Sequence, residues 1–307
     1  MNKSLMVSVS DSWGIGAELN NPTGNIYVDH LQKKLGFDEI LNLADSGISN
    51  DSIYERVVTG VIESKDSFSF DKVFVLVGWT SPERRLFKFI DKGTGHDILT
   101  DFNYIPGTPA QSVTGKLTIQ EDLFLSEDIK RIQEYFKSYN KYFWSIKESL
   151  DRWSYQMVTL HRFLMSYNIE HLFFNNFYPY DSMYNFFKDF NDDKVTQRDI
   201  DDYFGYDNPM ESADIKLFSE PIKSGDKLKF NEKQQKLISV IPEKYIYPNT
   251  MLNVLRSKYQ DKEPPSMYLS SIKANNPALC EGSHPNEFGH KVIADILYEH
   301  IKKHGMC

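Results

Sequence analysis

Two short stretches at opposite ends of the chain carry side chains suited to nucleophile, base and acid. The first is Val7-Ser8-Val9-Ser10-Asp11-Ser12-Trp13-Gly14-Ile15-Gly16. An apolar, Val-rich run is broken by Ser10, Asp11 and Ser12, and two glycines follow. A hydroxyl at that break, at the carboxyl end of a central strand, is placed for nucleophilic work. Strand-to-turn junctions also use Ser, Asp and Gly for conformation alone, so the hydroxyl needs a partner. The second stretch is Glu281-Gly282-Ser283-His284-Pro285-Asn286. An acid three residues before a histidine can fold back and accept a hydrogen bond from the imidazole. The other ring nitrogen is then free to take a proton from a serine. Pro285 helps set the loop, and Asn286 is a helix cap. Plainer readings stand beside these. His284 is also readable as a structural loop histidine and Glu281 as a solvent-facing acid. Trp13 and Trp79 either wall a pocket or fill the core. His290 packs on the last helix, and Arg84 reads as an anion ligand or as part of a surface charge run.

The elements that must position these residues alternate. Leu5 to Val9 reads as a strand, and Ile26, Val28, Leu31 and Leu35 keep helical spacing up to Gly36. Glu39 to Ala44 is a second strand. Ser49 or Asn50 caps a helix carrying Ile53, Val57, Val58, Val61 and Ile62. Asp71 to Gly78 is a third strand, apolar throughout its centre, as expected when both faces are covered. Strand, helix, strand, helix, strand is the start of a doubly wound parallel sheet. Glu170 to Asn175 is a fourth strand and Leu237 to Tyr247 a fifth. Ser126 to Tyr167 is helical, and a final helix starts at Asn286. The expectation is one domain over residues 1–307 with insertions at about 84–120, hairpin-like, and about 177–233. The turns Ser10 to Ser12, Gly47 to Asn50 and Trp79 to Ser81 then lie along one edge of the sheet, where ligands bind.

Composition narrows the class. The 307 residues are 40% hydrophobic and 25% charged, enough for a large core and unlike a disordered chain. A net charge of −8 gives no general attraction to nucleic acid or to anionic membranes, so neither is expected as a partner. Cys280 and Cys307 make no disulfide framework and no Cys-x-x-Cys pair. No His and acid cluster has metal-site spacing and no phosphate-loop motif is present, so no metal or cofactor is expected. No stretch reaches transmembrane length. The apolar run after Lys3 is too short for a signal peptide, so the expected location is the cytoplasm of the producing cell or a virion. The sequence sets no oligomeric state.

The two stretches together resemble the SGNH, or GDSL, hydrolases. That family reads Gly-Asp-Ser near the N-terminus and Asp-x-x-His-Pro near the C-terminus; here stand Ser10-Asp11-Ser12 and Glu281-x-x-His284-Pro285. Gly47 matches the family's second block. The third block, Gly-x-Asn-Asp, is Gly78-Trp79-Thr80-Ser81 here. The wording Trp-Thr-Ser-Pro-Glu-Arg is similar to SGNH-like proteins encoded by bacteriophages. The resemblance implies an α/β fold, a flavodoxin-like three-layer sandwich around a five-stranded parallel sheet. It implies Ser12 as nucleophile, His284 as base and Glu281 as orienting acid. The N–H groups of Ser12 and Gly47 become oxyanion donors. Thr80 falls where the family has its donating Asn, and Asn50 or Asn175 can substitute. Trp13, Trp79 and Asn175 are the expected substrate contacts. The implied substrate is a small-molecule or carbohydrate ester, an O-acetyl group in particular. The alternative is a binding or structural module, in a virion for example, that has lost catalysis with the missing Asn.

Overall fold

Short Val- and Phe-rich runs separated by segments of helical period fold here into one parallel sheet with helices on both faces. The computed structural model describes residues 3–67, 70–80, 82, 84–91, 98–104, 134–135, 138–139, 146–176, 232–251, 254–255, 278, 280 and 284–307. The order along the chain is β1 (Ser4–Val9), α1 (Ser12–Ile15), α2 (Tyr27–Leu35), β2 (Glu39–Asn42), α3 (Asn50–Ser67), β3 (Lys72–Trp79), β4 (Arg85–Asp91) and β5 (Ile98–Tyr104). Then come α4 (Ile146–Ser166), β6 (Glu170–Asn175), α5 (Glu232–Ile238), a short 3-10 turn (Glu243–Tyr245), β7 (Ile246–Thr250) and α6 (Glu287–Lys303). The five-stranded sheet runs β2-β1-β3-β6-β7, with every neighbouring pair parallel. Counting only these strands, the order is 2-1-3-4-5, the flavodoxin-like doubly wound arrangement.

Side-chain alternation assigns the layers. The Cβ that Gly60 of α3 lacks would come within 3.9 Å of Val7 of β1, whereas the Tyr27 hydroxyl of α2 lies on the side of Ser8 and Ser10. Odd and even residues of β1 therefore face α3 and α2 respectively. On β6, Phe174 meets Tyr27 edge-on at 5.8 Å, while His171 meets His161 of α4. So α2 packs with α6 on one face, and α3 packs with α4 on the other. Strand centres are buried on both sides, as their unbroken apolar runs require.

The fifth strand differs from expectation. Leu237 lies in α5, and the strand begins only at Ile246. β7 is an edge strand that contains Pro248, and its register against β6 shifts between Phe173 and Asn175. A proline is tolerated only where one side of a strand needs no partner, and that weakens the sequence signal. The α3 cap is Ser49, whose Oγ accepts from the Ser52 N–H at 3.3 Å. Within the first expected insertion, β4 and β5 pair as an antiparallel hairpin, tied down by Leu86 N–H donating to Asp51 at 3.0 Å. The second insertion up to residue 231 and most of 126–145 lie outside the described residues. Among the described residues no helix is long and apolar enough to cross a membrane.

Candidate active site

Parallel pairing brings the carboxyl ends of β1, β2, β3 and β6 to one edge, and the polar turns gather there. At the end of β1, Asp11 caps the short helix α1: its Oδ1 accepts from the Trp13 N–H at 3.1 Å. That cap makes Ser12 the first helical residue and leaves it 8% exposed. Histidine 284 arrives from the far end of the chain. The loop before α6 is pinned by Cys280 N–H donating to His284 O at 2.7 Å and Asn286 N–H donating to Ala278 O at 3.0 Å. Asn286 caps α6 by accepting from the Gly289 N–H at 3.0 Å. Gly289 is required for this seat, since a Cβ there would lie 2.2 Å from Ala278 O. The result is His284 Nε2 at 2.9 Å from Ser12 Oγ. The hydroxyl donates when Nε2 is unprotonated, a tautomer set by what Nδ1 meets.

What Nδ1 meets is Glu18, with Oε2 at 3.4 Å. That is a charge contact rather than a formed hydrogen bond, for among the described residues Nδ1 has no hydrogen-bond partner. Glu281 lies outside the described residues.

Asp11 is the centre of a buried polar network. Its Oδ1 also accepts from Asn176 Nδ2 at 2.8 Å, and its Oδ2 accepts from the Thr80 hydroxyl at 2.8 Å. Arg84 Nη1 stands 3.9 Å from the same Oδ2. Asn176 Nδ2 also reaches Ser10 Oγ at 3.1 Å. Burial pushes the Asp11 carboxyl above the usual range, against the opposing pull of Arg84, Thr80 and the Trp13 N–H. Arg84 is thus neither a solvent-facing charge nor a free anion ligand. It stands by this carboxylate and reaches Ile48 O at 3.5 Å. Gly78 makes room for the network: a Cβ there would lie 2.6 Å from Ser10 Oγ and 2.6 Å from Phe174.

The expected oxyanion groups separate. Gly47 is buried in the turn after β2 with φ +71°. Thr80 does not offer its hydroxyl, because the proton is committed to Asp11. Asn50 clasps the Thr80 backbone, donating from Nδ2 to Thr80 O at 3.1 Å and accepting from Thr80 N–H at 2.9 Å. One of its two amide hydrogens is used in that clasp.

The expected substrate contacts fall elsewhere. Trp13 is 2% exposed and Trp79 is fully buried, packed edge-on against Phe173 at 5.7 Å. Both indoles fill the core and present no face to a ligand. Asn175 is fully buried, and among the described residues its amide has no hydrogen-bond partner. It shares the α4 face with Phe173 and His171. Its neighbour Asn176, one residue on, points to the Ser10–Asp11 side. A shift of one residue changes the face, so the amide that reaches Asp11 is that of Asn176 and not of Asn175. Glu18 was not visible in the sequence at all, because nothing local marks a turn residue as facing a histidine 266 positions away. His290 is structural. Its Nδ1 accepts from the Tyr27 N–H at 3.2 Å, and burial pushes its pKa down to about 3.

The fold and this site define a class: a doubly wound parallel α/β protein with a serine–histidine pair at the carboxyl edge of its sheet. No family model and no curated protein matches the chain. Solved structures do align with it. One is a protein described as lipolytic and of the G-D-S-L family from Desulfitobacterium hafniense DCB-2, at 11% identity and TM-score 0.39, covering 96% of this chain and 98% of that one. Another is TesA, at 10% identity and TM-score 0.40, with 98% and 99% covered. A third is the lipase Lip_vut3 from a goat rumen metagenome, at 10% identity and TM-score 0.38, with 96% of each covered. The fold assignment rests on strand order, not on these likenesses.

Proposed function

We propose that this chain is a serine hydrolase acting on carboxylic esters. The observation that carries the reading is the 2.9 Å contact between Ser12 Oγ and His284 Nε2 at the carboxyl edge of the sheet. His284 takes the hydroxyl proton as Ser12 Oγ bonds to the ester carbonyl carbon. The carbonyl electron pair moves to oxygen, which the N–H groups of Ser12 and Gly47 and the second amide hydrogen of Asn50 stabilise. Collapse expels the alcohol, which leaves with the proton from His284. Water then attacks the acyl-enzyme by the same route and releases the acid. Within this class the resemblance to SGNH hydrolases favours an O-acetyl ester of a carbohydrate. The buried Trp13 and Trp79 give no sugar-stacking surface, so any such surface comes from other residues.

The test is hydrolysis of p-nitrophenyl acetate, followed by a panel of acetylated sugars, with wild type and Ser12→Ala. Ser12→Ala is expected to lose at least about 10³-fold in kcat/KM while keeping its melting temperature. Equal rates remove Ser12 from the chemistry. A second reading, a binding or structural module with catalysis lost, is motivated by the Thr80 hydroxyl, which bonds to Asp11 instead of facing an oxyanion. A folded wild type that neither turns over esters nor reacts with a fluorophosphonate favours that reading.

A further inference from the structure

Resting on the hydrolase reading, we infer that Glu18 is the carboxylate that positions His284. Three observations meet at this side chain. First, Glu18 Oε2 is 3.4 Å from His284 Nδ1, and the opposite ring nitrogen is 2.9 Å from Ser12 Oγ. Carboxylate, imidazole and hydroxyl thus stand in the order a proton-transfer triad needs. Among the described residues no other carboxylate lies within ion-pair distance of this ring.

Second, Glu18 holds a backbone conformation that glutamate disfavours, with φ +70°. The turn is closed by Leu19 N–H donating to Gly16 O at 3.1 Å, which puts Glu18 at the third of its four positions. Glycine or asparagine fits a positive φ there at lower cost. A non-glycine residue held in such a conformation points to a use for its side chain.

Third, the two segments are seated together. Cys280 Sγ faces the Glu18 carbonyl at 3.9 Å, and the Cys280 N–H donates to the His284 carbonyl at 2.7 Å. The turn bearing Glu18 therefore meets the loop bearing His284 through the Cys280 thiol, which the loop's own backbone bond holds in place. Ser12, at the start of α1, and Glu18, in the turn that follows it, are six residues apart, and His284 comes from the far end of the chain. Glu18 touches no reacting atom. It fixes the imidazole orientation and stabilises the imidazolium that forms when Ser12 loses its proton. Its side chain is 34% exposed and that of His284 is 25% exposed, so water screens the pair.

The experiment uses the full chain and compares wild type, Glu18→Gln, Glu18→Asp, Glu18→Gly and Glu281→Gln. It reads p-nitrophenyl acetate turnover, the rate of fluorophosphonate labelling at Ser12, and melting temperature. Glu18→Gln and Glu18→Gly are expected to lower kcat and the labelling rate by about ten- to a hundredfold, with KM within about twofold. That is less than the roughly 10⁴ of a fully buried triad carboxylate, because the pair is screened. Glu18→Asp restores part of the loss. Glu18→Gly melts no lower than wild type, because glycine adopts the positive φ freely. Wild-type kcat in Glu18→Gln overturns the inference and leaves the hydrolase reading standing. So does a loss in Glu281→Gln alone. A parallel fall of melting temperature and rate in both Glu18→Gln and Glu18→Gly overturns it in favour of a structural role. A wild type that neither labels nor turns over sinks the hydrolase reading and this inference with it.

Discussion

At the carboxyl edge of the sheet, His284 Nε2 stands 2.9 Å from Ser12 Oγ; on the α4 face, His171 Nε2 stands 2.9 Å from His161 Nδ1. The contacts have the same length, and the surroundings differ in every other respect. His171 is fully buried. Its Nδ1–H donates to Ile169 O at 2.9 Å, so its Nε2 accepts from His161. Its ring stacks on Tyr245 with centroids 4.4 Å apart and planes 7° apart. Burial pushes its pKa down to about 3. Both nitrogens are satisfied, the ring is sealed, and it can neither gain nor lose a proton near neutrality. His284 sits on a loop, partly open, with a hydroxyl on one side and a carboxylate on the other. A histidine contact is chemically useful when hydrogen-bonding capacity and access are left over. Those are properties of the surroundings and not of the distance.

Replacing each ring by alanine tests the difference most severely. His284→Ala is expected to lower kcat/KM by at least about 10³-fold while changing unfolding free energy by less than about 1 kcal/mol. His171→Ala is expected to do the reverse. It leaves a cavity under Tyr245 and strips His161 of a buried partner, at about 2–4 kcal/mol. Turnover per folded molecule should stay within a fewfold of wild type. Denaturant midpoints and active-site titration separate the two quantities. Lost turnover in folded His171→Ala would make the α4 face part of the catalytic apparatus and break the contrast.

Acid should expose the sealed histidines. For His171 and His290 the folded pKa is lowered to about 3 from an ordinary 6.5. Between those values the unfolded chain binds protons that the native chain does not. Their stabilising contribution is therefore complete above pH 6.5 and is lost as pH falls toward 3. The slope is up to about 1.4 kcal/mol per pH unit for each histidine. Chemical denaturation between pH 4.5 and 7 measures it. A flat profile would mean that both rings take up protons in the folded protein as readily as in the unfolded chain.

Most of the frame is legible in the sequence and only part of the candidate site's geometry, and the boundary has a physical cause. Runs such as Val73 to Val77 are apolar on both faces, so the central strands were legible from composition alone. Parallel order then placed Ser12, Gly47 and Thr80 on one edge without further input. What stayed hidden depends on which way a side chain turns. Trp13 and Trp79 lie in stretches that border the site, yet both indoles turn inward. Asn175 and Asn176 are identical in type, and only strand parity tells which one reaches Asp11. Glu18 depends on a single turn's φ and on a loop near the other terminus, a contact with no periodic signature. β7 was displaced because Pro248 suits an edge strand that the sequence marks weakly.

Asp11 lies between the two regimes, sealed like His171 yet at the same edge as His284, and it carries the smallest expected effect. Its folded pKa is raised by burial, so above pH 3.8 the native state holds a proton that the unfolded chain gives up. Stability therefore falls as pH rises from 3.8 to the folded value, opposite in sign to the histidine contribution. Asp11→Asn removes that component and keeps most of the geometry. Oδ1 still accepts from the Trp13 N–H and Asn176, and the new amide donates to Thr80 Oγ. Arg84 loses a carboxylate that it approaches only to 3.9 Å. The expected change at pH 7 is within about 1 kcal/mol, since the amide keeps the hydrogen bonds and carries no charge that burial would penalise. The cap that places Ser12 survives, so turnover should fall less than about tenfold. Wild-type and Asp11→Asn unfolding curves, compared from pH 4 to 8, should diverge with pH in favour of the variant. A loss of 3–5 kcal/mol at pH 7 would instead show Asp11 ionised and paired with Arg84 in the folded protein. The edge that bears Ser12 and His284 would then be held together by a buried ion pair rather than by neutral hydrogen bonds.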